Sequence, residues 1–334
     1  MQKLSIILLI LITSYGCSNP IKNEDAKVVV EPGTAVTEGA NKTEKSESKP
    51  IEDKTEITNR PVDKNDLYGY YVGYFEQDVD KEKDKKYLKN EIGINWNKEN
   101  KINISIDQIK DDSTVVGHSV VAGNDRPFKG SVKKSISEKD GAEVYTFSVR
   151  EPGDDRYDGE FKFSIENGRM IGKWEAYKNI NIKKRKYNLE KRKFEYNPKI
   201  MLQRGSWYAD WTNVTEEEIT EEYDNGEFET YIKREFASSS PIIFSMNASS
   251  SLLDEDAVAN LTKGDLIIIR NTIYARHGYS FRNLPLRVFF DAQDWYIPVH
   301  ADIRSDFTDI EKTNIELLLA YEEYASNYYD SYGR

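Results

Sequence analysis

The sequence has few of the residues on which common catalytic and metal sites depend. Its 334 residues include one cysteine and three histidines. A zinc site needs clustered ligands, and no two of these histidines lie one helical turn apart. No serine stands in the strand, turn and helix setting of an activated nucleophile. We therefore expect no metal site, no cofactor and no catalytic residue. A glycan-acting enzyme with paired carboxylates stays open as an alternative, because the chain has 58 acidic residues.

The chain has no excess of positive charge, since its 47 lysines and arginines are outnumbered by 58 acidic residues and the net charge is -11. Binding to a nucleic-acid backbone needs a cationic surface, so we expect no nucleic-acid partner. One basic run, "IKKRKYNLEKRK" at residues 182–193, alternates its lysines and arginines with Tyr187 and Leu189. We interpret this run as an edge strand whose lysines oppose aggregation, with a polyanion site as the alternative.

The one long apolar run is at the start of the chain. Residues 4–12 are apolar apart from Ser5, and Thr13, Ser14, Tyr15 and Gly16 then lead to Cys17. This length is typical of a signal peptide, which we assign to residues 1–16. A cysteine directly after a small residue resembles a bacterial lipobox, although Ser14 stands where a leucine is usual. Because Cys17 has no disulfide partner, we predict that it carries lipid and attaches the protein to a membrane.

The residues after Cys17 predict a location and a tether. Ser18 follows the cysteine, and by resemblance to Gram-negative lipoproteins this implies the outer membrane. Both the periplasmic face and the outer surface stay open. Residues 17–65 are rich in glutamate, lysine, threonine and serine, without a periodic apolar face. Such a segment buries too little surface to offset its ordering entropy, so we predict a disordered tether.

Residues 66–196 have the pattern of an antiparallel β domain. The runs "KINISI" (101–106), "EVYTFSV" (143–149) and "EFKFSI" (160–165) alternate apolar and polar residues, and Asn167-Gly168 is a hairpin signal. Eight or nine such strands predict a meander that forms a small barrel or a sandwich. The stretches "YGYYVGYFE" (68–76) and "IGKWEAY" (171–177) resemble strands of lipocalin-like barrels. A barrel of this size is either filled by its side chains or holds one small ligand.

Residues 197–250 are interpreted as a connector with a hairpin. The hairpin signal is Asn225-Gly226, flanked by alternating Tyr223, Phe228 and Tyr231. The acidic residues around it lack the spacing of a calcium loop, which favours a solvated face. The stretch "SSSPIIFSMNASSS", residues 238–251, reads as a linker.

Three helices are predicted from residue 262 onwards. Asp265 completes a capping box in the first helix, Glu311 does so in the third, and Gly278 is suited to a left-handed cap. Pro285 lies in the first turn of the second helix. The predicted N-caps are Thr262, Asn283 and Thr308. The residues of the third helix that we expect to face inward are Ile310, Leu317, Leu318, Tyr321 and Tyr324.

Four stretches in this part resemble one known domain. They are "RNTIYARHGYSF" (270–281), "FF" (289–290), "WYIP" (295–298) and "EKTNIELLLAYE" (311–322). In this order they resemble the YARHG domain, named for the run from Tyr274 to Gly278. The resemblance covers residues 258–323, and we assign residues 251–334 to this helical domain. It implies an extracytoplasmic domain of bacterial lipoproteins and envelope proteins, without an agreed activity.

Two interpretations of the motif stay open. In the first it is a polar latch: His277 bonds a backbone carbonyl or an acid of the third helix, and Arg270 and Arg276 reach Glu311 or Glu322. Its structural residues are Arg270, Asn271, Gly278 and Glu311. In the second, a groove binds an anionic or sugar-bearing ligand such as peptidoglycan, because arginine suits carboxylates and aromatic rings suit sugars. Its candidate binding residues are Tyr274, Arg276, His277, Trp295 and Tyr296.

The sequence therefore predicts an α+β multidomain protein, with an antiparallel all-β meander followed by a small three-helix YARHG domain. We expect a lipid-anchored cell-envelope protein with a non-catalytic binding or scaffolding role. Its expected partners are the membrane, through the N-terminal lipid, and peptidoglycan or another envelope protein. The alternatives are a carrier of a small apolar ligand in the β domain and a glycan-acting enzyme.

Overall fold

A computed structural model describes residues 64–79, 99–138 and 141–328. The predicted signal peptide, the lipidation site Cys17 and residues 17–63 of the predicted tether lie outside the described residues, so these stay predictions. Within the described ranges, no helix combines the length and the apolar composition needed to cross a membrane. The described chain begins with a 3-10 helix, Lys64–Leu67, whose Leu67 side chain is buried in the first core.

Eight antiparallel strands form a closed barrel in simple sequence order. The strands are β1 Gly69–Gln77, β2 Asn100–Ile109, β3 Thr114–Val121, β4 Asn124–Ile136, β5 Glu143–Arg150, β6 Gly159–Glu166, β7 Arg169–Ala176 and β8 Lys184–Arg192. This confirms the predicted meander and decides for a barrel over a sandwich. The tight turn at Asn167-Gly168 is confirmed, since both residues have positive φ.

The interpretation of residues 182–193 as an edge strand is wrong. Tyr187 in β8 is paired with Phe75 in β1 on one side and with Gly172 in β7 on the other. Because β8 closes the barrel, it has no free edge. Its lysines lie on the outer surface, where Lys184 and Lys186 form ion pairs with Glu175 and Glu76.

Alternation along the strands fills most of the barrel with apolar side chains. Phe147 and Phe163 stack with their ring centroids 4.7 Å apart, and Tyr71 and Met170 are fully buried nearby. A side chain at Gly172 would place its Cβ 2.7 Å from the Tyr187 hydroxyl. The glycine therefore makes room for a tyrosine inside the barrel.

The connector contains the predicted hairpin. Strands β9 Thr215–Glu222 and β10 Phe228–Glu235 form a separate two-stranded antiparallel sheet. The interpretation of residues 238–251 as a linker is wrong for the middle of this stretch, which is folded and partly buried. A 3-10 helix, Pro241–Phe244, lies there, and Ile243 and Ala248 are buried in the second core.

Residues 241–328, called here the helical region, contain four α-helices. They are α1 Glu255–Val258, α2 Lys263–Arg276, α3 Leu284–Asp291 and α4 Asp309–Tyr328. The capping box of Thr262 and Asp265, the cap at Asn283 and the positive φ of Gly278 are confirmed. Helix α1 adds to the three predicted helices, because a single turn capped by Asp254 is too short to show a periodic pattern.

The predicted inward face of α4 is confirmed at Leu317, Leu318 and Tyr321 and is wrong at Ile310 and Tyr324. Ile310 and Tyr324 are exposed, whereas Ile315, Leu318 and Ala325 are buried in the second core. Polar residues share this inward face, since Glu311 is also buried. The apolar pattern therefore placed the middle of the inward face correctly and missed its buried polar residue.

The helical region contacts the outer face of β1 and β2, and both belong to one compact unit. Val72 in β1 forms a small apolar cluster with Ile297 and Val299. Next to it, the backbone N–H of Lys101 in β2 donates to Asp291 Oδ2 at 2.7 Å. A face of the barrel that alternation would leave in water is thus buried.

The turn between β3 and β4 is also held by the helical region. The Gly123 N–H donates to Ser280 Oγ at 2.9 Å, and Arg282 Nε donates to the Gly123 carbonyl at 3.1 Å. Gly123 has φ +75°, and a Cβ there would lie 1.9 Å from Arg282 Cγ. Glycine is therefore required at this contact by both backbone and space.

Candidate functional site

A polar cluster of the helical region is centred on Glu311, at the start of α4. His277 Nε2 lies 2.8 Å from Glu311 Oε2, and the Tyr196 hydroxyl donates to Oε1 at 2.9 Å. The Thr308 N–H donates to Oε2 at 3.0 Å, which completes the predicted capping box. The His277 ring stacks on the Tyr196 ring, with centroids 4.2 Å apart. The Glu311 carboxylate therefore connects the end of α2, the start of α4 and Tyr196, which follows the last barrel strand.

Hydrogen bonds keep Glu311 ionised in this buried place. Burial alone would raise its pKa, but hydrogen bonds from His277, Ser249 and Thr308 outweigh burial and hold the pKa below its ordinary value. Because the folded pKa is lowered, the stability that Glu311 contributes is present above the unfolded pKa. It is lost as the pH falls through the folded pKa.

The two motif arginines have different roles. Arg270 forms a bidentate ion pair with Glu322 of α4, with Nη2 2.9 Å from Oε2, as the latch interpretation predicts. Arg276 reaches neither acid: its guanidinium donates twice to the Ile200 carbonyl, at 3.0 and 2.8 Å, and once to Ser249 Oγ at 3.0 Å. Burial lowers the pKa of Arg276 to about 10. Arg276 thus connects α2 with the connector rather than with α4.

The five candidate binding residues lie in the same region but in different surroundings. Arg276, His277 and Tyr296 are buried, and the Tyr296 hydroxyl donates to the Tyr279 carbonyl at 2.7 Å. Tyr274 and Trp295 are partly exposed. The polar groups of Arg276, His277 and Tyr296 are therefore already hydrogen-bonded within the protein. This favours the latch interpretation. Binding of a cell-wall ligand through these five residues stays a prediction.

Asn271 has a local role within α2. Its Nδ2 donates to the Ile267 carbonyl, one turn earlier, at 2.8 Å. The side chain is buried, so this bond satisfies a donor that would otherwise be costly to bury. Asn271 therefore belongs to the packing of the helix.

A cavity of about 400 Å³ lies at the barrel end formed by the turns after β3, β5 and β7. Its apolar wall consists of Phe75, Phe161 and Trp174, which contact one another edge to face or at an angle. Arginines from both parts of the protein complete the wall. They are Arg126, Arg156 and Arg185 of the barrel and Arg287 of α3.

Strand alternation explains why charged groups line this end. Arg185 shares the inward face of β8 with Tyr187 and Leu189, and Arg126 shares that of β4 with Phe128. Deeper inward positions are apolar and fill the barrel. The sequence analysis did not single out these arginines. The signal that could have found them is an arginine in period with buried aromatic residues.

Glu151 is a buried acid in the wall of this cavity. Ser119 Oγ donates to Oε1 at 3.1 Å, while the Gly159 N–H and Trp174 Nε1 donate to Oε2 at 2.7 and 3.2 Å. Burial raises the pKa of Glu151 to about 7, against the effect of these hydrogen bonds. The carboxyl therefore changes its charge near neutral pH.

We expect Glu151→Gln to stabilise the protein at about pH 8 and to leave it nearly unchanged at about pH 5. The folded pKa is raised, so the stability from protonation is present below the unfolded pKa and is lost as the pH rises towards about 7. This loss is at most about 3 kcal/mol, and a glutamine, which has no charge to titrate, avoids it. Its oxygen can accept from Gly159 and Trp174 while its amide donates to Ser119. Urea unfolding at the two pH values measures the effect, and parallel pH profiles of the two proteins would contradict it.

A serine, an aspartate and a histidine meet on the outer face of β2 and β3, without the arrangement of a catalytic triad. His118 Nδ1 lies 2.9 Å from Ser105 Oγ and 3.0 Å from Asp107 Oδ2. Ser105 Oγ also donates to Asp107 Oδ1 at 2.7 Å. In a triad the acid and the nucleophile bond opposite ring nitrogens. Here both share one nitrogen, and the hydroxyl proton is engaged by the acid itself.

Within the described parts of the chain, no group of three or more histidine, cysteine, aspartate or glutamate side chains is placed to hold a metal ion. The positive arginines and apolar rings of the barrel end are instead suited to an organic ligand.

The fold defines a closed antiparallel barrel joined to a small helical region, with a cavity at one barrel end. Residues 242–323 match the YARHG domain family, which confirms the resemblance drawn from the motif. The match begins within the 3-10 helix at Ile242. Neither the curated proteins nor the solved structures gave a match to this chain. YARHG domains occur in extracellular or envelope proteins, which is consistent with an extracytoplasmic location.

Proposed function

We propose that this protein is a non-catalytic binding protein of the bacterial envelope that holds a small ligand at the open end of its barrel. The observation that carries this proposal is the cavity of about 400 Å³ with aromatic walls and a few polar groups. Ligand sites typically have volumes of about 300 to 1,000 Å³ and this mixture of linings. The lipid on Cys17 would attach the protein to the outer membrane, on its periplasmic or outer face.

The packing of the barrel limits the size of the ligand. Tyr187, Leu189 and Phe163 fill the interior below the cavity, so a long chain has no space to extend towards the opposite end. A ligand of one or two fused rings, or a short branched chain, matches the volume. This supports a carrier or sensor of small molecules more than a transporter of long lipids.

The partner proposal concerns the helical region. We retain peptidoglycan, or another envelope protein, as the partner of its exposed surface, because YARHG domains occur in envelope proteins. The partly exposed Trp295 is the candidate residue best placed to meet such a partner. Sedimentation of the purified protein with isolated cell-wall sacculi tests this contact separately from binding in the barrel.

We expect Ile182→Trp to weaken binding of a neutral fluorescent probe, N-phenylnaphthylamine, by about tenfold or more. Ile182 is half-buried in the turn before β8 and lines the cavity. An indole at this position occupies part of the volume that the probe needs. Fluorescence titration of the purified protein measures the change.

The matched control is Ile171→Trp, since Ile171 is 55% exposed on the outer face of β7. The same substitution there adds an indole without reaching the cavity, so probe binding should stay within about twofold. Equal affinities in all three proteins would show that the probe does not bind at the barrel end.

A further inference from the structure

Among the described residues, three of the four arginines that line the barrel-end cavity form no ion pair with a carboxylate: the exposed Arg156 and the largely buried Arg185 and Arg287. Arg126 is paired with Asp155 at 3.1 Å and with Asp158 at 3.0 Å. Among the described residues, neither Arg185 nor Arg287 forms an ion pair with a side chain, although both are largely buried. Two unpaired guanidinium groups beside one cavity are unusual, because buried charges are ordinarily paired.

The protein fixes Arg185 by contacts that leave its charge uncompensated. Nη1 donates to the Phe75 carbonyl at 2.6 Å, and the guanidinium lies over the Phe75 ring, 4.9 Å from its centroid. Burial and then the charge of Arg287 lower the pKa of Arg185 to about 10. The side chain is therefore held in place with a positive charge that lacks an anion.

Arg287 reaches the cavity from the helical region. Its Nε is buried and has no hydrogen-bond partner among the described residues. Asp291, one turn further along α3, acts on it electrostatically, but Asp291 Oδ2 is occupied by the Lys101 N–H at 2.7 Å. Within the described part of the chain, Arg287 Nε therefore has no acceptor.

The local charge is opposite to that of the whole protein. The chain has a net charge of -11, yet four arginines and a single glutamate line this cavity. An acidic protein gains nothing in solubility from gathering arginines at one concave site. A concave positive site with preformed guanidinium donors is suited to a carboxylate, sulfonate or phosphate.

We infer that the ligand of the barrel end is a small amphipathic acid, whose acidic group binds Arg185 and Arg287 and whose apolar body lies against Phe75, Phe161 and Trp174. This rests on the proposed function and names the chemical class of its ligand. The acid would bond one arginine from β8 and one from α3, and would therefore connect the barrel with the helical region.

Two probes that differ only by an acidic group test this inference. Anilinonaphthalene sulfonate has the ring system of N-phenylnaphthylamine with a sulfonate added, and both report binding by fluorescence. We expect the sulfonate to bind the original protein about tenfold more tightly than its neutral counterpart, or better. In Arg185→Gln and in Arg287→Gln this preference should disappear, while the affinity for the neutral probe stays within about twofold.

The control is Arg169→Gln, because Arg169 is exposed at the opposite end of the barrel and pairs with Glu190. It should leave both affinities unchanged. Arg185→Lys keeps the charge but lacks the planar guanidinium, so it should retain part of the preference for the sulfonate probe. It shows whether the loss of this preference in Arg185→Gln is due to the loss of charge. Thermal unfolding of each variant shows that it is folded.

The outcomes separate the two levels of the proposal. If neither probe binds the original protein, the proposed binding function itself fails. If both probes bind with equal affinity, or if the glutamine variants keep the preference for the sulfonate, the barrel end binds ligands but the acidic class is wrong.

Discussion

Glu311→Ala should lower the free energy of unfolding by about 4 kcal/mol. The substitution removes the acceptor of the buried donor His277 and of the partly buried donor Tyr196, and it also removes the capping box with Thr308 at the start of α4. Each buried donor that loses its partner costs about 1 to 3 kcal/mol, and loss of the cap adds to this. Urea unfolding followed by circular dichroism measures the effect.

The control for this prediction is Glu316→Ala, in the same helix. Glu316 is exposed, so its replacement should change stability by less than about 0.5 kcal/mol. Glu311→Gln provides a finer test, because it keeps one acceptor oxygen and should lose only part of the stability. A loss below about 1 kcal/mol in Glu311→Ala would mean that the latch does not hold α2 and α4 together.

Lys101→Met should be similarly costly, by about 4 kcal/mol, because it leaves two carbonyls without their buried donor and removes a positive charge that acts on the buried Asp291. Lys101 Nζ donates to the carbonyls of Gln293 and Tyr296 at 2.7 and 3.2 Å. Burial raises the pKa of Asp291 to about 7, although Lys101 opposes this rise. Without the lysine this pKa should rise further.

The pH dependence of the stability of Lys101→Met follows from the raised pKa of Asp291. Since the folded pKa of Asp291 is above the unfolded value, the stability from its protonation is lost as the pH rises through the folded pKa. The deficit should therefore be larger at about pH 8 than at about pH 5. Unfolding curves at both pH values are the measurement.

A second substitution separates charge from packing. Adding Asp291→Asn to Lys101→Met removes the unpaired carboxylate while an amide oxygen still accepts from the backbone N–H of residue 101. The double variant should recover about half of the lost stability at about pH 8. The control is Lys173→Met, because Lys173 is exposed and its ion pair with Asp78 lies on the surface. Additive losses would show that Lys101 and Asp291 are not coupled.

Local signals were sufficient to predict most elements of the fold. The capping boxes at Thr262 and Thr308, the left-handed residue Gly278 and the hairpin at Asn225-Gly226 each depend on neighbouring residues, and the structure contains all of them. The eight-stranded meander followed from alternation in the same way. Local patterns do not show that the first and the last strand pair with each other. We therefore interpreted β8 as an edge strand, although it pairs with β1.

The sites depend more on distant contacts and were less predictable. His277 with Glu311 and Arg270 with Glu322 were expected, because both join predicted helices. The partners of Arg276, which are Ile200 and Ser249, lie in segments without a periodic pattern. The cavity arginines were missed because the helix that supplies Arg287 meets the barrel only through tertiary contacts, such as that between Lys101 and Asp291.

Closure of the barrel by β1 and β8 also sets an order for folding of the nascent chain. One edge of β1 has no partner until β8 has been synthesised and brought to it, and open strand edges are templates for pairing between molecules. The contact of Lys101 with Asp291 joins residues 190 positions apart, so it forms later still. We therefore expect β1 and β2 to need protection until almost the whole polypeptide has been synthesised.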